Sequence, residues 1–197
     1  MLGELKISTT YPRATQVLEE YRRWVVGQSK ANLSKGKRNS NATGNLKGSI
    51  KGYIQKKFNR DIKGRFTGGS ELPSLRFEML KYGEYVDEGV KGSQSTYIES
   101  MASPFKFRNN KGSVPTKAIS GWLGARGMDR GLAFVVARSI YQKGIKAKKF
   151  FSKPFNTRYN KMVHKYHVAV ADDIANNIAN QIERQLRKAN NNGSTAV

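Results

Sequence analysis

His164 and His167 are the only imidazoles in the chain, and they stand three residues apart in a helical stretch. That spacing lacks the H-E-x-x-H arrangement of a zinc helix, and the nearest acid, Asp172, lies more than a turn away. Cysteine is absent, which removes disulfides, thiolate nucleophiles and cysteine-bound metal. Asp172 and Asp173 are adjacent, so on a helix they point about 100° apart and do not converge as the carboxylates of a two-metal site must. Asp87 and Glu88 are also neighbours and would face opposite ways on a strand. A nuclease would have to gather Glu84, Asp87 and Lys91 across a turn. The glycine-rich stretches GNLKGSIKG and GWLGARG lack the G-x-x-x-x-G-K-[ST] spacing of a phosphate-binding loop. The expectation is a protein without catalytic residues, metal or cofactor, acting by binding and assembly and not as an enzyme.

Charge is the stronger signal. The 197 residues carry 36 Lys plus Arg against 14 Asp plus Glu, a formal net charge of +22. Lys35, Lys37, Arg38, Lys47 and Lys51 form one basic group, and Lys143, Lys146, Lys148, Lys149 and Lys153 another. From Pro104 to Val170 fifteen basic residues face a single acid, Asp129. A surface built only for solubility mixes the two signs, so these groups point to nucleic acid or an acidic protein surface. No apolar run approaches the roughly 18 residues of a membrane span. Met1 to Thr10 carries Glu4 and lacks a basic-then-apolar signal pattern. The expected setting is the cytoplasm, or a particle built there, with no membrane partner.

The elements that must position these groups follow from periodicity. Ala14, Val17, Tyr21, Trp24, Gln28 and Ala31, widened by Leu18 and Val25, predict an amphipathic helix over about 12–33 with Pro12 in its first turn. Residues 34–42 and 60–70 read as mobile basic loops. Between them Thr43 is placed to cap a short helix carrying Leu46, Ile50 and Tyr53 or Ile54. Leu75, Phe77 and Met79, then Tyr82 to Val86, alternate as strands do. Residues 93–143 read as an insertion: a loop with one short ordered stretch, then two helices. The first carries Ala118, Ile119 and Trp122. The second, capped by Asp129, presents Leu132, Val135, Val136, Ser139 and Ile140 and ends at Gly144. A long helix over about 155–188 carries Val163, His167, Val170, Ile174, Ile178, Ile182 and Leu186 at near-heptad spacing. Such length invites a break or a neighbouring subunit. NNNGSTAV reads as a frayed tail.

Three stretches in this order resemble a known family. The first is Thr43-Gly44-Asn45-Leu46-Lys47-Gly48-Ser49-Ile50, and the second runs from Tyr82 through Tyr85, Val86, Asp87, Glu88 and Gly89 to Gly92. The third runs from Gly144-Ile145-Lys146-Ala147 to Lys153-Pro154-Phe155. With a helix before and a long helix after, they resemble the neck or tail-completion (head–tail joining) proteins of tailed bacteriophages, the HK97 gp10-like group. There "T-G-x-L-x-x-S-I", "Y-x-x-Y-V-E-x-G" and "K-P-F" segments occur in sequence. Thr43, Gly44, Leu46, Ser49 and Ile50 match the first, and Tyr82, Tyr85, Val86 and Gly89 the second, with Asp87 or Glu88 in the acidic place. Pro154 and Phe155 match the third. The resemblance spans about residues 12–187, and residues 93–143 depart from the compact family pattern.

The resemblance implies a single α+β domain, with a small antiparallel sheet flanked by an N-terminal and a long C-terminal helix. It also implies a ring of identical subunits joining the capsid's portal and adaptor to the tail proteins, with non-specific contact to DNA in the channel. Such a protein is a structural component of the virion at the head–tail junction, assembled in the host cytoplasm. Lys35, Lys37, Arg38, Lys47, Lys51, Lys146, Lys148 and Lys149 are then the candidate residues facing DNA or a neighbouring subunit. The competing expectation is an architectural or ribosomal-type nucleic-acid-binding protein, favoured by the net charge and by Arg22, Arg23 and Trp24 near the basic loop. Against it, the chain has no zinc finger, GXXG clamp or paired aromatic strand motif.

Overall fold

Pro12 opens helix α1, Pro12–Ser34, where its missing N–H has no helical partner to lose. The computed structural model describes residues 10–35, 44–56, 58–60, 66–94, 96–107 and 116–193. The inward face of α1 is Ala14, Leu18, Tyr21, Val25, Ser29 and Leu33, each nearly or fully buried. Of the expected stripe, Ala14 and Tyr21 are inward, Val17 and Trp24 are half-buried, and Gln28 and Ala31 are exposed. A wide apolar stripe allows more than one rotation of a helix, and the elements packed against it choose between them.

After α1 come α2 (Asn45–Ser49), β1 (Lys51–Gln55), β2 (Phe58–Arg60), β3 (Phe66–Ser70) and β4 (Ser74–Glu78). Then follow α3 (Tyr82–Glu88), β5 (Val90–Lys91), α4 (Thr116–Gly124), α5 (Ala133–Lys143), β6 (Gly144–Ile145) and α6 (Ser152–Gly193). Short 3-10 turns cover Ile98–Ser100 and Arg130–Leu132. The strands form three two-stranded pairs, β1 with β4, β2 with β3, and β5 with β6. The last two pairs are antiparallel. The fold is α+β, helix-rich, with a first helix and a long last helix around small sheets. Among the described residues, no helix is long and apolar enough to cross a membrane.

The chain divides into two compact units. One comprises Met1–Arg23, Gly52–Arg76 and Arg158–Val197. Here the first turn of α1 is held by acids distant in sequence: Arg13 N and Ala14 N donate to the buried Asp173 carboxylate at 3.2 and 2.9 Å. An anion at a helix N-terminus satisfies orphan donors and complements the dipole. Arg13 also pairs with Asp172 at 3.0 Å. The two aspartates that look like a carboxylate pair thus serve as an anchor for α1. Tyr166 Oη donates to the Pro73 carbonyl at 2.7 Å, and burial pushes the Tyr21 hydroxyl up to about 12.

The other unit comprises Trp24–Lys51 and Phe77–Thr157. Its core is Leu33, Leu46, Ile50 and Phe150, flanked by Val26, Met79, Val86 and Phe151. All three motif segments therefore meet at one cluster. Gly89 has φ +73°, and a Cβ there would lie 2.5 Å from the Ile145 carbonyl oxygen and 2.7 Å from Ala147 N. Only glycine fits this turn. Ser100, fully buried, donates from Oγ to the Ile145 carbonyl at 2.7 Å and accepts from Ala147 N at 2.9 Å.

Several expectations need correction. Tyr82 to Val86 is helix α3 and not a strand. Short apolar alternations fit both periods, and the helix prevails because Gly83 lets it approach Leu46 and Met79 closely: a Cβ there would stand 2.9 Å from each side chain. Tyr85 stays exposed and sets its ring edge-on to Phe105 at 4.6 Å, while Val86 packs on the core. Phe66–Ser70, expected within a loop, is a strand of the β2–β3 hairpin. The rest of the expected basic loops, residues 36–42 and 61–65, lies outside the described residues, as does the expected cap Thr43. The residue preceding α2 is Gly44, at φ +73°.

The two inserted helices form and pack on each other. Asp129 accepts from Gly131 N at 2.8 Å and so caps the 3-10 turn that leads into α5. The inward face of α5 is turned relative to expectation: Ala133 and Ala137 are buried, whereas Leu132 and Val135 are exposed. In α4, Leu123 is buried and Trp122 is 39% exposed, with the Arg126 guanidinium 4.4 Å above its ring. Helix α6 starts at Ser152 and runs through Asn190–Gly193, where a frayed tail is expected. Pro154 sits in its first turn, where a missing N–H is tolerated.

Candidate functional site

Helix α1 buries Val25, Ser29 and Leu33, and that choice turns the i, i+4 ridge of Trp24, Gln28 and Asn32 toward a groove of about 400 Å³. Lys35 lies just beyond the end of the helix. The opposite wall is Lys148 and Lys149, followed by Lys153, Pro154 and Thr157 in the opening turns of α6. Four lysines and one indole thus share a single concavity. They come from two basic groups more than a hundred residues apart.

The lysines are not equivalent. Lys148 Nζ donates to the Leu33 carbonyl at 2.9 Å, near the end of α1, where the helix leaves acceptors open. Partial burial lowers its pKa, because desolvation disfavours the charged form. Lys149 adopts φ 47° and pairs with Glu88. Its backbone N–H donates to the Asp87 carbonyl at 2.9 Å, beside Lys148 N on the Val86 carbonyl at 3.0 Å. The segment carrying both lysines is therefore clamped to the end of α3. Asn32 Nδ2 donates to the Phe150 carbonyl at 3.4 Å. Lys35 and Lys153, exposed at the rim, are the ammonium groups placed to meet phosphate or carboxylate.

Of the expected basic residues, the fold gathers Lys35, Lys148 and Lys149 here. Lys146 pairs elsewhere with Glu99 at 2.6 Å. Lys47 donates to Ser34 Oγ at 3.0 Å, and Lys51 is exposed at the start of β1. Lys37 and Arg38 lie outside the described residues. Trp24, Gln28 and Asn32 were missed as lining residues. Their four-residue spacing was the available signal, and for Trp24 and Gln28 it reads equally well as a core stripe.

The family-motif residues play structural parts. Leu46 and Ile50 are core, and Ser49 Oγ donates to the Leu46 carbonyl while accepting from Leu80 N. Pro154 is buried, and Phe155 packs with Phe77 and Phe151. Tyr82 is exposed. The acids considered for hydrolysis lie along a second concavity of about 360 Å³, where Glu84, Asp87 and Glu88 meet Met79, Phe105 and Phe155. Asp87 is committed there: its carboxylate accepts from Phe151 N at 2.7 Å and Ser152 N at 3.0 Å, capping α6. Lys91 is not among the lining residues and belongs to β5. His164 and His167 are exposed on α6. Among the described residues no group of three or more His, Cys, Asp or Glu is placed to hold a metal ion.

No protein-family model, curated protein or solved structure matches this chain.

Proposed function

We propose that the chain is a structural virion protein of a tailed bacteriophage, one subunit of the ring that connects the capsid's portal and adaptor to the tail around the DNA channel. It acts by assembly, without catalysis or cofactor. What carries the reading is the convergence of the three motif segments: Leu46 and Ile50, Val86, and Phe150 with Phe151 form one core with the end of α1. The lysine groove gives the subunit a surface for a polyanion or an acidic neighbour, in keeping with the net charge of +22.

Complementation of a phage lacking this gene tests the reading, scored by infectivity and electron microscopy. The wild-type chain should appear in purified particles at the head–tail junction. Lys35→Glu with Lys153→Glu changes two exposed rim residues and should leave the fold intact while yielding filled heads without infectious tails. Absence of the wild-type chain from purified particles would overturn the proposal.

The second reading, an architectural or ribosomal-type nucleic-acid-binding protein, is favoured by Trp24 lying beside four lysines. It requires tight, discrete nucleic-acid complexes with a steep salt dependence, which the double variant should weaken on every sequence. The ring reading requires only weak, non-specific association of the free chain with DNA.

A further inference from the structure

The concavity of about 360 Å³ beside α3 is lined by acids in a chain that carries +22. Glu84, Asp87 and Glu88 border it, and no Lys, Arg or His does. Glu88 pairs with Lys149, and Asp87 accepts from Phe151 N and Ser152 N. Glu84 is exposed and has no ion pair among the described residues. The rest of the lining is largely apolar, with Met79, Phe105, Phe151 and Phe155. The rings are held by their neighbours: Phe151 and Phe155 stack at 5.9 Å, and Phe105 meets Tyr85 edge-on at 4.6 Å. Ser152 supplies an independent observation. It lines the same concavity, and its Oγ is buried without a hydrogen-bond partner. A buried hydroxyl in that state costs stability until a polar group reaches it.

We propose that this concavity binds an organic cation, an alkylammonium or alkylguanidinium group carried on an apolar stem. Such a group answers to each part of the lining. Its charge meets Glu84, and phenyl rings attract a cation over their faces. Its stem covers Met79 and the phenylalanines, as the stems of long cationic side chains cover apolar surface. An N–H of the same head group donates to Ser152 Oγ. A compact inorganic cation suits the site less. Among the described residues no three acids converge as a metal site requires, and a hard cation takes about six or more oxygens. An anion is opposed by the carboxylates, and a neutral apolar ligand leaves Glu84 without a counter-charge. A free amine and a Lys or Arg side chain of a second copy offer the same chemistry, and the experiment below separates the two sources. The inference does not rest on the virion reading.

The probe is butylguanidinium chloride, titrated into the full chain by calorimetry at constant ionic strength. The controls are n-butanol, which is neutral, and sodium butyrate, which is anionic. Butylguanidinium should bind in the millimolar range or tighter, and both controls about tenfold more weakly or not at all. Glu84→Gln and Asn156→Lys change exposed lining residues and leave the core untouched. Each should weaken the probe about tenfold with an unchanged helical circular dichroism signal. Lys35→Glu with Lys153→Glu, in the other groove, should not weaken it. Sedimentation equilibrium then separates the sources. A chain mass that the probe leaves unchanged means that a free amine fills the site. An association that both butylguanidinium and Glu84→Gln dissolve means that a side chain of a second copy fills it. Undetectable binding of the probe, equal binding of butylguanidinium and n-butanol, or binding unchanged in both lining variants would each overturn the proposal.

Discussion

Around Phe150, the end of α1, α2, α3 and the segment before α6 bring together residues 33, 46, 50, 86 and 150, and several polar groups there fix the backbone. Asp87 caps a helix, Ser100 bridges two backbone groups, and Gly89 occupies a turn that no other residue fits. The distal half of α6 is built differently. Its helix forms from local spacing, and its apolar ridge stays open to solvent. In the first region the apolar side chains are covered by the fold, and what it leaves open is the charged rim of the groove, Lys35 and Lys153. In the second, the apolar side chains themselves stay exposed.

That contrast is easiest to break at its buried end. Phe150→Ala removes a fully buried ring from the centre of the cluster and should destabilise the protein by about 3–5 kcal/mol in urea denaturation. A loss below about 1 kcal/mol would mean that the cluster is not the centre of this unit. Next in size, Asp87→Ala strips the cap from Phe151 N and Ser152 N and should reduce stability by about 2 kcal/mol. Asp87→Asn keeps one acceptor and should lose less. Equal losses would show that charge, not the capping hydrogen bonds, is what matters there.

At the exposed end the expectation reverses. Ile182→Ala should change the unfolding free energy by no more than about 0.5 kcal/mol at dilute concentration, since little of the side chain is covered. A large loss of stability on this substitution would erase the contrast.

The smallest effect is expected at Glu19 on α1, which hydrogen bonds from Arg22 and Arg23 hold down to about 2. The folded value lies below the unfolded one, so the contribution is complete above about 4.5 and is lost as pH falls toward 2. The group is partly exposed and the contribution is small. Stability measured across that window should fall more steeply for the wild type than for Glu19→Gln, and parallel curves would remove the pair from the account.

Local pattern alone determined a good deal of this protein. The first helix, the two inserted helices, the long last helix and the α+β class follow from apolar spacing, Pro12, Asp129 and Gly144, because helix periodicity and capping act within a few residues. The two basic groups were equally legible as groups. Rotation of the helices was not, because a stripe broad enough to be recognised is broad enough to be buried at more than one angle. Val25, Ser29 and Leu33 went inward on α1, and Trp24, Gln28 and Asn32 were left for the groove. Nor was α3 legible, since seven residues fit either period until Gly83 meets Leu46 and Met79. The candidate site belongs wholly to this second class. Lys35 and Lys153 are 118 positions apart, and only the packing of Phe150 on Leu33, Leu46 and Ile50 brings them to one groove. Spacing along a chain carries no record of contacts made across it.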